Sequence, residues 1–174
     1  MKTLRLIGTT LLMVVLCLNF TACGDDDDDD IDVSQLEGTW GLTHSAGWRL
    51  EETEKYEWDY TCDPYNPDSS EHECEKLVIK KLTDNTYSVA AYYYNGSEWR
   101  THSSQTLTLN GNILTVSQTN GDYGYFESYA NLTIETLTAE NLAIRVKYDN
   151  VQTVPEYNPD RRDSTDYTDT FVRM

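Results

Sequence analysis

Basic residues are scarce in this sequence. Thirteen Lys and Arg stand against 30 Asp and Glu in 174 residues, a formal net charge of −17. A nucleic-acid-binding surface needs a basic face that displaces counterions, so that function class is excluded. Phe is scarce as well, three residues beside thirteen Tyr and four Trp. Nearly all the aromatic surface therefore carries a polar handle, which suits strands and half-wet surfaces. No apolar run reaches the ~20 residues of a membrane-spanning helix. Beyond residue 60 no segment keeps apolar residues at a helical period. Hydrophobic residues at 39% and charged residues at 25% still leave enough apolar surface for one folded domain.

The first residues carry an address. Lys2 and Arg5 precede an apolar stretch from Leu11 to Phe20, and the small residues Thr21 and Ala22 follow. A basic start, a short greasy run and small exit residues read as a secretory signal peptide over residues 1–22. The ending Phe20-Thr21-Ala22-Cys23 resembles the lipobox of bacterial lipoproteins. That resemblance implies that Cys23 becomes the N-terminus and carries lipid; an ordinary secreted protein is the alternative. Each buried CH₂ of the acyl chains would add about 0.8 kcal/mol of membrane affinity. Gly24 and the run Asp25–Asp30 follow, and such a run of like charge repels itself and stays extended, which makes residues 23–33 a tether. Acidic stretches at this place also resemble the surface-export signal of some Gram-negative lipoproteins. The expected location is the outer membrane, lipid-anchored, at the cell surface, with the inner leaflet as the alternative. Removing residues 1–22 takes away Lys2 and Arg5 and no acid, leaving 11 basic against 30 acidic residues, net −19. Anionic headgroups should repel such a domain, so the membrane is a partner through the lipid alone.

Four cysteines reduce to one pair. Cys17 leaves with the signal peptide and Cys23 is the lipid site, so Cys62 and Cys74 remain, and an oxidising compartment makes a disulfide the default. It would close a loop worth about 3 kcal/mol on the chain-entropy estimate. Cys62, His72 and Cys74 also read as three zinc ligands, but no fourth stands at finger-like spacing and oxidised cysteines do not bind zinc. No metal and no cofactor are expected. Asp63, Asn66, Asp68 and Glu71 leave a weak calcium site open, although their spacing misses the EF-hand rhythm.

The remainder reads as strand after strand. Leu36, Gly38, Trp40 and Leu42 share one face of a first strand. Residues 51–75 hold ten acids and one base, Lys55, and the pattern from Trp48 to Tyr60 fits a strand or a short helix. Asn95-Gly96 and Asn110-Gly111 are two-residue hairpin signals. Centred there, they pair Tyr92 with Trp99 and Leu107 with Leu114. Leu142, Ile144, Val146 and Tyr148 form the cleanest alternating stripe, and Thr168 to Met174 closes the chain as a strand. About eight antiparallel strands in so short a chain imply a closed barrel or a sandwich, and strands at both ends favour closure by pairing the ends.

Leu36-x-Gly38-x-Trp40-x-Leu42 resembles the first strand of bacterial lipocalin-like lipoproteins, and Leu137-Thr138 with Leu142 and Phe171-Val172-Arg173 resemble that family's late hairpin and ending. The resemblance covers residues 34–174. It implies an all-β, antiparallel up-and-down lipocalin-like β-barrel of about eight strands. It also implies that Gly38, Trp40 and Arg173 form a structural cation–π plug at the closed end. Two features depart from the pattern: an acidic Cys62–Cys74 insertion in place of a short first connection, and Pro155 and Pro159 where the family has a helix.

No nucleophile elbow of the form Gly-x-Ser-x-Gly is present, and His102 beside Ser103 and Ser104 sits on a strand whose neighbours face opposite ways. An enzyme is not expected, although carboxylates are numerous enough for some to pair by chance. Asp163-Ser164-Thr165 resembles a periplasmic O-glycosylation acceptor. The functional signal is the Tyr and Trp excess, concentrated at Tyr92, Tyr93 and Trp99, the candidate ligand-binding residues. Inward rings would line a cavity for a small apolar or amphipathic molecule. Outward rings would give a non-enzymatic surface adhesion module that binds glycan or protein. A monomer is expected.

Overall fold

In the computed structural model, residues 31–51, 53–120, 124–127, 130–151 and 162–174 are described. Cys23, Asp25–Asp30, Pro155 and Pro159 lie outside them. The described residues form β1 (Gly38–Glu51), β2 (Glu54–Thr61), β3 (Glu75–Lys81), β4 (Thr86–Tyr94), β5 (Trp99–Asn110), β6 (Ile113–Asn120), β7 (Asn131–Leu137), β8 (Asn141–Val151) and β9 (Arg162–Arg173). All pairings are antiparallel between neighbours, and β1 closes the ring on β9 from Trp40↔Arg173 to Glu51↔Asp163. Pairing the two terminal strands removes the exposed edges that an open sheet would leave.

Nine strands fill eight positions. β2 pairs with β1 over His44–Glu51, while β3 pairs with the same edge of β1 over Gly38–Gly41. β2 and β3 are therefore two halves of one barrel strand, interrupted by residues 62–74. This corrects the expectation that the acidic insertion replaces the first connection: β1 and β2 pair as far as Glu51↔Glu54, and the insertion splits the strand after that connection. The stretch from Trp48 to Tyr60 belongs to two strands, the end of β1 and most of β2, and not to a helix. The Cys62–Cys74 disulfide joins the two ends of the excursion, with Cα atoms 5.7 Å apart. Cys62 N–H bonds Thr43 O at 2.9 Å and Cys74 O accepts from Tyr94 N–H at 2.8 Å, so both cysteines still belong to the ladder.

Both hairpins form, each with a shifted register. The β4–β5 connection spans four residues, because the Asn95 side chain accepts from Ser97 N–H and Glu98 N–H and so builds a longer turn. Trp99 consequently faces Tyr94, and Tyr92 faces Thr101. In the β5–β6 hairpin the turn residues are Gly111 and Asn112, so Leu114 pairs with Leu109 and not with Leu107. β9 begins six residues before the expected Thr168, because its early half alternates polar groups that carry no apolar signal.

The lower half of the barrel is packed solid. Trp40 and Leu42 of β1, Leu77 and Ile79 of β3, Ile144 and Val146 of β8 and Phe171 of β9 are all buried within one cluster. Inward residues alternate along each strand, as the pleat requires. β1 breaks the rule once. Its pairing with β9 skips Thr43, so inward positions change from Trp40 and Leu42 to Ser45, and the strand's inner face turns from apolar to polar above the bulge.

Candidate functional site

The closed end is sealed by Arg173. Its guanidinium lies 4.2 Å over the Trp40 ring, and its nitrogens donate to Ala139 O at 2.6 Å, Glu37 O at 2.9 Å and Gln35 O. Trp40 Nε1 donates to Leu36 O at 2.9 Å. A Cβ on Gly38 would stand 2.3 Å from Arg173 Nη1, so a side chain there would push the guanidinium off the ring. Gly38, Trp40 and Arg173 thus meet at one end of the barrel. They hold it shut and present nothing to a ligand.

The other half of the interior contains a cavity of about 310 Å³. Its wall is made by strands that converge above the Thr43 bulge. β9 contributes Thr165, Tyr167 and Asp169; β2 contributes Trp58 and Tyr60; β3 contributes Glu75 from its first residue; and β8 contributes Tyr148. A second bulge aims His102: β4 pairs Ala91 with Ser103 and Tyr92 with Thr101, leaving His102 as the extra residue of β5, and it reaches the cavity.

Tyr125 and Glu127, between β6 and β7, form the remaining wall. Gln105, itself buried, donates from Nε2 to Phe126 O at 2.7 Å and accepts Phe126 N–H on Oε1 at 2.8 Å. Held by this clamp, Phe126 joins the core, and Tyr125 packs edge-on against it at 4.8 Å and points its hydroxyl across the cavity floor. There Tyr125 Oη lies 3.0 Å from Glu75 Oε2 and 3.2 Å from Asp169 Oδ2. One hydroxyl hydrogen cannot serve two ionised carboxylates, so the cluster is complete only when one of them carries a proton.

Burial pushes Glu75 up to about 7, with the neighbouring charges of Asp169 and Glu73 adding to it against the Tyr125 hydrogen bond. Burial likewise pushes Asp169 up to about 6, against hydrogen bonds from Ser45 and Tyr125. Tyr60 rises to about 12, first through burial and then through the nearby carboxylates. Tyr125 and Tyr167 lie well above the ordinary phenol value for the same reason. Trp58 Nε1 donates to Ser45 Oγ at 2.9 Å, and its ring sits 5.4 Å from Tyr167, tilted by 56°. Arg49 reaches the cavity too, but its Nε pairs with Glu51 at 2.9 Å. The site is thus a box of rings over a floor of carboxylates, with its one arginine ion-paired to Glu51.

Tyr92, Tyr93 and Trp99 do not line this cavity. The Lys76 ammonium lies 4.3 Å over the Trp99 ring and 5.5 Å from Tyr92, while Tyr94 meets Trp99 edge-on at 5.5 Å. Tyr93 touches the site indirectly, edge-on to the His102 ring at 6.2 Å. The loop between Cys62 and Cys74 spends Asp63 Oδ1 on the backbone N–H groups of Tyr65 and Asn66, and His72 stacks 4.7 Å from Tyr60. Among the described residues no three side chains converge as metal ligands there. Thr165 of the glycosylation-like triplet is buried and donates to Trp48 O, which places it inside the fold.

Sequence reasoning missed Glu75, Tyr125, Tyr167 and Asp169. A signal for two of them existed: Asp163, Thr165, Tyr167, Asp169 and Phe171 alternate at period two, and Phe171 marks that face as inward.

No protein-family model matches the chain. No curated protein matches it either. Among solved structures it is similar to the siderocalin Ex-FABP, described as functioning through dual ligand specificities. The TM-score is 0.46 at 8% identity, over 80% of this chain and 71% of that one.

Proposed function

We propose that this protein is a lipid-anchored binding protein of the cell envelope that holds a small amphipathic molecule in the upper half of its barrel. The observation that carries the reading is the division of the interior: side chains fill the lower half, while rings and hydrogen-bonding groups enclose about 310 Å³ above it. Buried carboxylates cost stability when nothing compensates them, so a barrel serving only as scaffold gains nothing from this arrangement. The volume lies at the lower end of ligand pockets, which run from about 300 to 1,000 Å³. It is about twice the ~150 Å³ cavity that admits one benzene ring, so a body of one or two rings fits. The anchor reading rests on the basic start, the apolar run and Phe20-Thr21-Ala22-Cys23, with Asp25–Asp30 as spacer. The adhesive alternative has less support, because Lys76 already occupies the faces of Tyr92 and Trp99.

Native mass spectrometry of the protein, extracted in detergent from the cells that make it, tests both parts. One small molecule per chain is expected, lost when His102→Trp fills the cavity mouth. An empty protein overturns the binding role. Cys23→Ser should abolish the acyl mass and move the protein to the soluble fraction; retention in the membrane overturns the anchor.

A further inference from the structure

We infer that the cavity accepts a small organic cation, an ammonium carried on a ring or short apolar body, whose charge settles among Glu75, Tyr125 and Asp169 beneath the rings of Trp58, Tyr60 and Tyr167. This rests on the reading that the cavity binds a ligand at all, and it names the class.

Three observations converge on it. The floor holds two carboxylates, on β3 and β9, that share one phenol hydroxyl at 3.0 and 3.2 Å. A positive donor entering there gives each carboxylate a partner and releases Tyr125 from serving both. Above the floor stand electron-rich ring faces, and such faces attract ammonium groups, by about 2 kcal/mol or more when desolvated. The balance of charge around the space is negative: Glu75, Asp169 and Glu127 line it, while Arg49 is held by Glu51. An anion would meet three carboxylates. A neutral apolar molecule would strip water from the same groups and return no hydrogen bond.

In the empty protein a proton is the cation of this site, and an ammonium displaces it. Binding therefore releases a proton and strengthens as pH rises through the range in which the pair ionises. The other titratable groups facing the space are Arg49, Tyr60, His102, Glu127, Tyr148 and Tyr167. Acidification is then a release signal.

Isothermal titration of the full-length protein in detergent with three indoles of nearly equal size tests the inference: tryptamine, 3-ethylindole and indole-3-propionate. Tryptamine keeps its charge across the range used, so any pH effect belongs to the protein. At pH 8 it should bind at least tenfold more tightly than the other two. At pH 5.5 its affinity should fall roughly tenfold or more, and buffers of different ionisation enthalpy should report about one proton released at the intermediate pH. Asp169→Asn and, separately, Glu75→Gln should each weaken tryptamine at pH 8 by tenfold or more and should not weaken 3-ethylindole, which then has one charged group fewer to desolvate. Equal or tighter binding of the neutral or anionic indole overturns the cation inference and leaves the binding role standing. Failure of all three indoles also overturns it. The binding role itself falls only if the native protein proves empty.

Discussion

Both polar ends of the Gln105 amide are spent on a single residue, the backbone of Phe126, and a third contact runs from Nε2 to Thr119 Oγ1 at 3.1 Å. A glutamine 1% exposed inside a barrel would ordinarily be a liability. Here it ties Phe126 to β5, where β6 and β7 pair through Ile113↔Thr133 and Leu114↔Leu132 alone. Gln105→Leu keeps the shape and removes the clamp, leaving a buried N–H and a buried C=O unpaired. At about 1–3 kcal/mol for each unsatisfied group, urea denaturation should show a loss of roughly 2–4 kcal/mol. A loss under 1 kcal/mol would mean that the segment is held by Phe126 packing alone. The same variant should loosen Tyr125 from Glu75 and Asp169, so cation affinity falls with stability.

At the scale of the element, the split strand explains what the disulfide does. Residues 62–74 leave the barrel between β2 and β3, and the bridge closes the neck through which they leave. The excursion is not free: Tyr65 donates to Arg173 O at 2.6 Å, and Pro64 lies where a Cβ on Gly41 would stand, 2.4 Å from it. Replacing both cysteines by Ser should cost about 2–3 kcal/mol, near the chain-entropy value for a loop of this length. Thermal melts with and without reductant measure it, and a wild-type melt insensitive to reductant would contradict the role. The alternating stripe of β8, both hairpins, the cysteine pair and the meeting of the chain ends were legible in the sequence, because each is a local pattern or a compositional rule. The registers were not. A single unpaired residue, Thr43 in β1 or His102 in β5, changes which neighbours face inward, and nothing local in the sequence marks it. The cavity residues were hidden for the same reason: Glu75 and Asp169 are two of many acids, and only the barrel's closure brings them to one phenol. Adjacent tyrosines drew attention to Tyr92 and Tyr93, but the ring-lined space is built from residues spread over six strands, with Tyr125 and Glu127 from between β6 and β7.

For the whole molecule, the buried carboxylates set how stability follows pH. Glu75 rises from an ordinary 4.5 to about 7, and Asp169 from 3.8 to about 6. Between those values the folded protein keeps protons that the unfolded chain has released. Stability from this pair is therefore fully present below about pH 4, declines as pH rises and is lost above about 7. Carboxylates with the opposite shift, such as Asp166 hydrogen-bonded by Arg145, act only near or below their ordinary range and do not cancel the trend. The unliganded protein should be more stable at pH 5.5 than at pH 8, by on the order of 3 kcal/mol. For a chain of this size that is a rise in Tm of roughly 6–12 °C. Surface repulsion pulls in the same direction, since 30 acids face 13 bases and acid relieves part of that charge. The two causes separate in the double variant Glu75→Gln, Asp169→Asn. It removes the buried titration and changes the surface hardly at all. Melts across pH 5 to 8 should slope clearly less for the variant than for the wild type, the remaining slope being the surface's share. If the variant keeps the full slope, the dependence belongs to the acidic surface, and the carboxylates at the cavity floor are not holding a proton.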